Sequence, residues 1–224
     1  MKSPVTKCIW IRHAPSWRLK GHVPTHDPDI VPDAESANAL AQMLPDDAYW
    51  QISPLKRCKQ TATQIERALL QLGRPAPRRK NIEHQIIEQN LGKWAGAKLD
   101  DVWKELANAP RHNFSFQTPE IIPPNGESFA TQYERISLYL EKFSNKISET
   151  EDKRPHIFFA HAHTIRAVIA YCLNLPLERA LSIQIDNYSQ TIFNFLPRQH
   201  AQYAGGQWQV EALNLPALVR VQSS

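Results

Sequence analysis

Five side chains suited to phosphate chemistry lie at or just beyond the predicted strands of this chain. Arg12 and His13 end a first apolar strand, and Arg57 lies one helical turn beyond a second. Glu88 follows a third predicted strand, and His161 follows a fourth. Ligands of an open α/β sheet bind beyond the carboxyl ends of its strands, so these residues are expected to gather at one edge.

This set of residues, two arginines, two histidines and one carboxylate, is suited to binding and transferring a phosphoryl group. Arginine presents a planar fork of N–H donors that matches phosphate oxygens and stays charged. A neutral imidazole is a competent nucleophile near neutral pH, and nearby arginines oppose its protonation. A carboxylic acid can protonate a leaving alkoxide and then, as a carboxylate, take a proton from water. Ser53-Pro54 is expected to start a helix whose N-terminal N–H groups add positive potential.

Strands and helices alternate along the chain, which predicts an α/β protein. The expected strands are Lys7–Arg12, Ala48–Ile52, Asn81–Ile87 and His156–Ala160, followed by a β-rich tail from about Leu181 (SIQI, QTIFNFL and QWQVEAL). The expected helices are 34–44 with Asp33 as cap, 53–72, 99–108, 127–146 and 164–173. This order favours three α/β/α layers around a mainly parallel sheet. Residues 1–224 are expected to form one domain, with a small cap-like insertion at about 88–127.

The composition fits an enzyme that acts on a small anionic molecule. The net charge of the 224-residue chain is +4, which favours an anionic partner. Arg78-Arg79-Lys80 is interpreted as a solvated loop, and no helical basic stripe with interleaved aromatic residues supports nucleic acid as a partner. No apolar stretch approaches the roughly 20 residues of a membrane helix, and the first residues lack the apolar run of a secretion signal. A cytoplasmic location, with no membrane partner, is therefore expected.

The residue pattern predicts neither a metal nor a cofactor. Cys8, Cys58 and Cys172 are far apart and lack Cys-x-x-Cys spacing, which argues against a disulfide framework or a zinc site. His161 and His163 could still act as a pair in a metallohydrolase, which is kept as an alternative. A catalytic zinc site needs a third ligand, and neither an Asp nor a third His follows in HTIRAV.

Five short motifs occur in order between about residues 8 and 170. They are Arg12-His13-Ala14, SPLKRCKQTA, EQNLGKWAG, Gly126-Glu127-Ser128 and HAHTIR. They resemble the Arg-His-Gly, Ser-x-x-x-Arg, Glu-x-x-x-Gly-x-Trp-Glu-Gly, Gly-Glu-Ser and His-Gly-Gly-x-Ile-Arg motifs of the histidine phosphatase superfamily. The resemblance is to its phosphoglycerate-mutase-like branch, and it implies that fold.

The resemblance also implies a role for each matching residue. His13 would be the nucleophile that becomes phosphohistidine, and Glu88 would be the proton donor and then the base for water. The phosphoryl oxygens would be bound by Arg12, Arg57 and His161. The family performs this chemistry without a metal. Three further residues are expected to contact the substrate: Ser16, Gly21 and His163.

The chain departs from the family motifs at three places. Ala14 replaces a glycine and is expected to narrow the room beside the nucleophile, and Ala95 replaces a glutamate in the tryptophan loop. Ala162-His163 replaces a glycine pair, which puts a new imidazole near the pocket. Because the five catalytic positions are retained, an active enzyme is expected.

The expected activity is hydrolysis of a small phosphomonoester, since the segment from Gly21 to Asp29 resembles that of bacterial small-molecule phosphatases. α-Ribazole 5′-phosphate is a candidate substrate by that resemblance. A phosphoglycerate-type mutase is one alternative, although the first motif lacks the asparagine of Ser-x-x-Asn; a phospho-ligand-binding module is another. The leaving group is expected to meet residues of two loops: Trp17, Arg18, Lys20, His22, Arg111 and His112.

Overall fold

A six-stranded sheet forms the centre of the fold. The computed structural model describes residues 5–200 and 204–217. Within them the strands are β1 Thr6–Arg12, β2 Tyr49–Ile52, β3 Arg79–Ile82, β4 His156–Ala160, β5 Gln190–Phe195 and β6 Trp208–Leu215. Their order across the sheet is β3-β2-β4-β1-β5-β6. The first four of these are mutually parallel, β5 runs antiparallel to β1, and β6 runs antiparallel to β5.

The α-helices in the described residues cover both faces of this sheet. They are α1 Ala34–Met43, α2 Lys56–Gln71, α3 Leu99–Glu105, α4 Phe129–Ser148, α5 Ala162–Leu173 and α6 Leu177–Leu181. The predicted cap of α1 is confirmed, because the Asp33 carboxylate accepts the N–H of Ser36 at 3.0 Å. None of the described helices is long and apolar enough to cross a membrane.

The two faces of β1 contribute to two different apolar cores. Successive side chains of a strand point to opposite faces. Cys8 and Trp10 therefore join the core that contains residues of α4 and α5, where Trp10 stacks on Phe158 at a ring distance of 4.0 Å. Ile9 and Ile11 join the core that contains residues of α1 and α2. The prediction of a three-layer α/β fold with a mainly parallel sheet is confirmed.

A third, smaller apolar cluster lies in the segment predicted as an insertion. Trp94, Val102 and Leu106 are buried there together with Val23. The indole N–H of Trp94 donates to the carboxylate of Glu105 at 2.7 Å, which fixes the ring against α3. The segment thus has its own apolar contacts beside the main sheet.

Three predicted elements differ from the structure for local reasons. β3 ends at Ile82, because the carboxylate of Glu83 caps a 3-10 turn, His84–Ile86, where a longer strand was predicted. Helix α2 begins at Lys56 rather than at Ser53-Pro54. The SIQI segment forms no strand, because the carbonyls of Ile183 and Ile185 accept hydrogen bonds from arginine side chains. The other predicted helix bounds differ from these by only a few residues.

Candidate active site

The carboxyl ends of β1, β2 and β4 meet around a cavity of about 450 Å³. The sheet order places these three strands side by side, so the residues that follow them converge. Arg12, His13, Arg57 and Glu88 line the cavity. His161 is fully buried and lies behind this wall, in contact with Arg57.

His13 is held in one tautomer by its backbone surroundings. Its Nδ1 lies 2.6 Å from the carbonyl oxygen of Ala14, so Nδ1 carries the hydrogen and donates it. Its Nε2 accepts the Nε–H of Arg57 at 3.1 Å, so the lone pair is on Nε2. Burial, together with the charges of Arg57 and Arg12, lowers the pKa of His13 to about 3. A neutral imidazole whose lone pair is on Nε2 is the form suited to nucleophilic attack.

The loop after His13 is fixed from two directions. The N–H of Ala14 donates to Oγ1 of Thr61 at 2.9 Å, and that hydroxyl donates to the carbonyl of Arg57. Asn187 donates its side-chain N–H to the carbonyl of His13 at 2.7 Å. The side chain of Ala14 packs in the apolar core with α1 and α2 and does not line the cavity. The expectation that Ala14 narrows the pocket is therefore wrong.

Arg57 bridges the two histidines. Its Nε–H is shared between Nε2 of His13 and Nδ1 of His161, which lies at 3.2 Å. Its Nη1 donates to the carbonyl of His26 at 2.9 Å and lies 3.7 Å from the carboxylate of Asp27. The same carboxylate accepts the N–H of Lys56 at the start of α2. The N-terminus of α2 is thus capped by Asp27, a role predicted for Ser53.

Ser53 has a different role, because it binds His161. Its Oγ lies 2.7 Å from Nε2 of His161, and both residues are fully buried. Since Nδ1 of His161 accepts from Arg57, Nε2 carries the hydrogen and donates it to Ser53. Burial and the charge of Arg57 keep the pKa of His161 well below its ordinary value. The ring is therefore neutral, and both of its nitrogens are engaged.

Arg12 lines the cavity, and its guanidinium is partly engaged by the backbone. Its Nη1 donates to the carbonyl of Ile185, whereas its buried Nε has no partner among the described residues. Burial lowers the pKa of Arg12, and the charge of Glu88 opposes this effect. A cationic guanidinium in the wall of the cavity favours an anionic ligand.

Glu88 reaches the cavity from the turn after β3 and caps the N-terminus of α5. Its Oε1 accepts the N–H of Gln89 at 3.1 Å and of Thr164 at 3.2 Å, and its Oε2 accepts the N–H of His163 at 3.4 Å. Burial raises the pKa of this carboxyl group. The nearby His163 and Arg57 and the donated hydrogen bonds outweigh burial and leave the pKa below its ordinary value.

Two glycines of the predicted motifs let the Glu88 loop approach the start of α4. Gly92 has a φ of +51°, and a side chain there would collide with the carbonyl of Pro124. A side chain at Gly126 would collide with the carbonyl of Asn90. The carboxylate of Glu127 accepts the N–H of Asn90 at 3.1 Å, which ties the two segments together.

His163 is half-buried in the first turn of α5 and lines the cavity. Its ring lies 5.7 Å from the ring of Phe129. Burial lowers the pKa of His163 to about 4, against the opposing charge of Glu88, so this ring is neutral too. Its main link to Glu88 is the backbone N–H described above.

Only some of the residues expected around the substrate line the cavity. Ser16 and Arg18 line it, but Gly21 does not: its φ is +76°, and its carbonyl accepts the N–H of Leu99 at 2.8 Å. Gly21 is thus a turn residue in this structure. Arg111 instead lies over the ring of Trp103, at 5.8 Å.

The other four expected leaving-group residues do not line the cavity. A ring nitrogen of His112 lies 2.8 Å from the carbonyl of Glu178, and one of His22 lies 3.1 Å from the carbonyl of Lys20. Trp17 is largely exposed, and neither it nor Lys20 lines the cavity.

Other residues of the cavity wall were not predicted from the sequence. Arg166 is one of them, and its Nε donates to the carbonyl of Ile183 at 2.8 Å. Its place in HAHTIR was the signal that could have identified it. The remaining unpredicted polar or aromatic wall residues come from separate loops: Thr25, His26, Gln89, Phe116 and Asn187.

No group of three or more His, Cys, Asp or Glu side chains that could hold a metal occurs in residues 5–200 and 204–217. The His161 nitrogens are engaged by Ser53 and by the cationic side chain of Arg57. A cation beside a ring nitrogen opposes a second cation at the same atom. The local charges therefore favour an anion at this site.

Comparisons with known proteins agree with this fold. A 2,3-bisphosphoglycerate-dependent phosphoglycerate mutase of Methanococcus vannielii is 27% identical over 110 residues, which are 49% of this chain and 46% of the mutase. The match thus spans less than half of that mutase. The structure of a mycobacterial glucosyl-3-phosphoglycerate phosphatase aligns with 94% of this chain and 99% of its own, with a TM-score of 0.71 and 18% identity. A proposed α-ribazole-5′-phosphate phosphatase of Escherichia coli aligns with 93% of this chain and 96% of its own, with a TM-score of 0.69 and 19% identity.

The family itself is shown by a match along most of the chain. The model of the histidine phosphatase superfamily, branch 1, matches residues 9–215. That range contains all five motifs from which the resemblance was inferred. The resemblance is confirmed, and this chain belongs to the histidine phosphatase superfamily.

Proposed function

We propose that this protein hydrolyses a small phosphomonoester through a phosphohistidine at Nε2 of His13. The observation on which this rests most is the tautomer of His13, whose Nδ1–H is bound to Ala14 while the Nε2 lone pair faces Arg57. A nucleophile in that state, between donors suited to phosphoryl oxygens, matches the first half of such a reaction.

In the first step Nε2 of His13 attacks phosphorus, and the bond from phosphorus to the substrate oxygen breaks. Arg57 and Arg12, which both line the cavity, bind the phosphoryl oxygens, and the charge of the transition state spreads over those oxygens. Glu88 gives its proton to the departing oxygen, so the alcohol leaves neutral.

In the second step water attacks the phosphohistidine. Glu88, now a carboxylate, takes the proton from water, and the phosphorus–nitrogen bond breaks. Inorganic phosphate is released, and the lone pair returns to Nε2 of His13. The same carboxyl group is thus an acid in one step and a base in the next, as microscopic reversibility requires.

Because the pKa of Glu88 is lowered, this carboxyl group is ionised in the empty site, and the proton for the leaving oxygen must arrive with the substrate. Two or more negative charges of a bound phosphate raise the pKa of a neighbouring carboxyl group. A monoester whose second pKa is about 6 can also bring the proton itself, as a monoanion that meets ionised Glu88. In both routes the occupied site holds one transferable proton, either on Glu88 or on the phosphate.

The leaving alcohol is proposed to lie toward Arg18 and Arg166. These arginines line the cavity, and no carboxylate pairs with either one in the described residues. Phe116 adds an aromatic wall. An anionic or aromatic alcohol fits this lining. α-Ribazole 5′-phosphate is one candidate, supported by the likeness to the Escherichia coli protein.

A phosphoglycerate-type mutase is the second candidate, and the match to the Methanococcus vannielii protein favours it. A mutase would return the phosphoryl group from His13 to a second hydroxyl. Incubation with 3-phosphoglycerate separates the two activities. A hydrolase releases inorganic phosphate, whereas rapid isomerisation with little phosphate release would contradict our proposal.

The proposed reaction needs no metal, since Arg12 and Arg57 supply the positive charge at the phosphoryl group. Full activity in EDTA is expected. Loss of activity in EDTA, with recovery on adding one metal per chain, would instead support a metallohydrolase that uses His161 and His163.

The central test is a screen of phosphomonoesters with wild type and His13→Ala. Wild type should release phosphate and, when quenched during turnover, should contain acid-labile phosphate on the protein; His13→Ala should show neither. Full turnover by His13→Ala would overturn the proposal. Binding of phosphomonoesters by wild type without any turnover would indicate a phospho-ligand-binding module.

A further inference from the structure

We propose that Gln132 is a positioning residue that binds Oε1 of Glu88 and so leaves Oε2 as the oxygen that exchanges the proton. This inference rests on the proposed role of Glu88 as acid and base. Gln132 is on α4, far from Glu88 in sequence, and it belongs to none of the motifs matched above.

The two carboxylate oxygens of Glu88 have very different surroundings. Oε1 lies within hydrogen-bond distance of the N–H of Gln89 at 3.1 Å, the N–H of Thr164 at 3.2 Å and the side-chain N–H of Gln132 at 3.3 Å. The hydroxyl of Thr164 lies 3.4 Å from the same oxygen. Among the described residues, the hydrogen-bond partner of Oε2 is the N–H of His163, at 3.4 Å. Of the two oxygens, Oε2 is therefore the one with room for a further partner.

These donors also determine where Glu88 carries a proton. A hydrogen on Oε1 would face the N–H groups of Gln89, Thr164 and Gln132, and none of these groups can accept it. A hydrogen on Oε2 avoids them. Glu88 lines the cavity, so its Oε2 can donate to a leaving oxygen or accept from water. The arrangement thus assigns binding to one oxygen and proton transfer to the other.

The surroundings of Gln132 itself argue against a purely structural role. The residue is fully buried, and its Nε2 is also near the carbonyl of Ile87 at 3.4 Å and Oγ1 of Thr164 at 3.1 Å. Its own Oε1 is buried and has no partner among the described residues. A buried acceptor without a donor destabilises a fold, and an apolar side chain of similar volume would avoid that cost. Its donor to Glu88 is the contact that an apolar side chain would lack.

Substitution by Gln132→Met tests this, because methionine has nearly the same length and no donor. The readout is kcat/KM for phenyl phosphate and for p-nitrophenyl phosphate, which have similar shapes but leaving groups of different acidity. The poorer leaving group needs a proton more, so its kcat/KM should fall about tenfold or more. The kcat/KM for p-nitrophenyl phosphate should change by less than about threefold. Equal losses for both substrates would overturn the inference.

Two comparisons separate misfolding from the loss of positioning. Gln132→Met should be at least as stable as wild type in urea unfolding, because it removes the unpaired Oε1. Ser144→Ala is the matched control, since Ser144 is buried on α4 and its hydroxyl donates to the carbonyl of Leu140. It should keep both kcat/KM values. Gln132→Asn, which withdraws the amide but keeps its polarity, should reproduce the selective loss and serves where Gln132→Met fails to fold.

Glu88→Gln in the same assay distinguishes this inference from the proposed function. A selective loss in Glu88→Gln but not in the Gln132 variants would reject the positioning role and leave the acid role of Glu88 intact. The absence of a selective loss in Glu88→Gln would reject the acid role itself.

Discussion

The Nε–H of Arg57 lies 3.1 Å from Nε2 of His13 and covers the lone pair that the proposed reaction uses. In the empty site Arg57 therefore keeps the nucleophile neutral and blocks it at the same time. A phosphoryl oxygen is a stronger acceptor than an imidazole nitrogen, because its hydrogen bond with a guanidinium is charge-assisted on both sides. Substrate binding would draw this N–H from His13 and expose the lone pair to phosphorus.

Arg57→Gln is expected to lower kcat/KM by about 10²–10³, as the loss of one charged donor at a transition state does. It should also raise the pKa of His13, because the Arg57 charge is one of the causes that hold this pKa down. The acid limb of the kcat/KM profile should then move to higher pH. NMR titration of the His13 ring in both proteins measures the same shift directly.

Arg57→Lys is the matched control for that experiment, since it keeps the charge and loses the planar fork. It should keep the pKa of His13 low but still lose most of kcat/KM. An unchanged His13 titration in Arg57→Gln would contradict the electrostatic role given to Arg57.

His161→Ala should nearly abolish turnover, because it removes a neighbour of Arg57 and leaves a cavity behind the phosphoryl site. Ser53→Ala should be much milder. It removes one hydrogen bond of roughly 1 kcal/mol to His161, so kcat should fall about fivefold. Steady-state kinetics on the best substrate of the screen measures both. A Ser53→Ala variant as inactive as His161→Ala would contradict this modest role and show that the position of His161 depends on the hydrogen bond to Ser53.

The strand ends explain why much of the site could be predicted from the sequence. His13 and His161 directly follow parallel strands that are neighbours in the sheet, so their separation is set by strand spacing alone. Arg57 lies on the first turn of α2, which packs next to β4. Apolar runs and helix caps identify such elements from local patterns.

Glu88 and its surroundings depend on contacts that no local pattern encodes. A 3-10 turn replaces the predicted strand before Glu88, because the side chain of Glu83 caps it. Gln132 reaches Glu88 because α4 packs against α5 and against the 3-10 turn His84–Ile86, and its buried face on α4 looks like any other core position in the sequence. Long-range packing of this kind determined the binding pattern of the carboxylate.

The leaving-group side was the least predictable part for a similar reason. His112 lies in the proline-rich segment after α3, where no periodicity indicates which side chains point inward. It is drawn away from the cavity by the carbonyl of Glu178. Arg166 lies on α5, whose apolar pattern is clear in the sequence. The direction of its side chain toward the cavity depends on a distant contact, because its Nε donates to the carbonyl of Ile183 in the turn after α6.

His163→Ala should keep most of the turnover, because the N–H that binds Glu88 belongs to the backbone and is retained. Alanine also maintains the first turn of α5, which a glycine would loosen. Because the pKa of His163 is lowered to about 4, its ring is neutral between pH 5 and 8, and the pH dependence of kcat should stay close to that of wild type. A loss of kcat by more than about 10² would instead place the imidazole among the catalytic groups. Measurement of kcat across pH 5–8 decides between these outcomes.

Acidification should destabilise this protein well before its carboxylates titrate. His13, His156, His161 and His163 all have lowered pKa values in the folded state, mainly because burial disfavours the charged imidazole. In the unfolded chain each has the ordinary histidine pKa of about 6.5. Below that pH the unfolded chain takes up protons that the folded protein does not, so stability falls as the pH falls.

His156→Phe isolates one of these contributions away from the active site. The ring of His156 packs against Phe143 at 4.9 Å, and its Nδ1 is buried without a partner among the described residues, so phenylalanine keeps the packing and removes the titration. Its pKa is lowered to about 4, so the effect lies between pH 6.5 and 4. In that window the free energy of unfolding of wild type should fall more steeply than that of His156→Phe, by up to about 1.4 kcal/mol per pH unit. Urea unfolding at pH 7, 6 and 5 measures the difference, and parallel slopes for the two proteins would show that the pKa of His156 is the same in the folded and unfolded states.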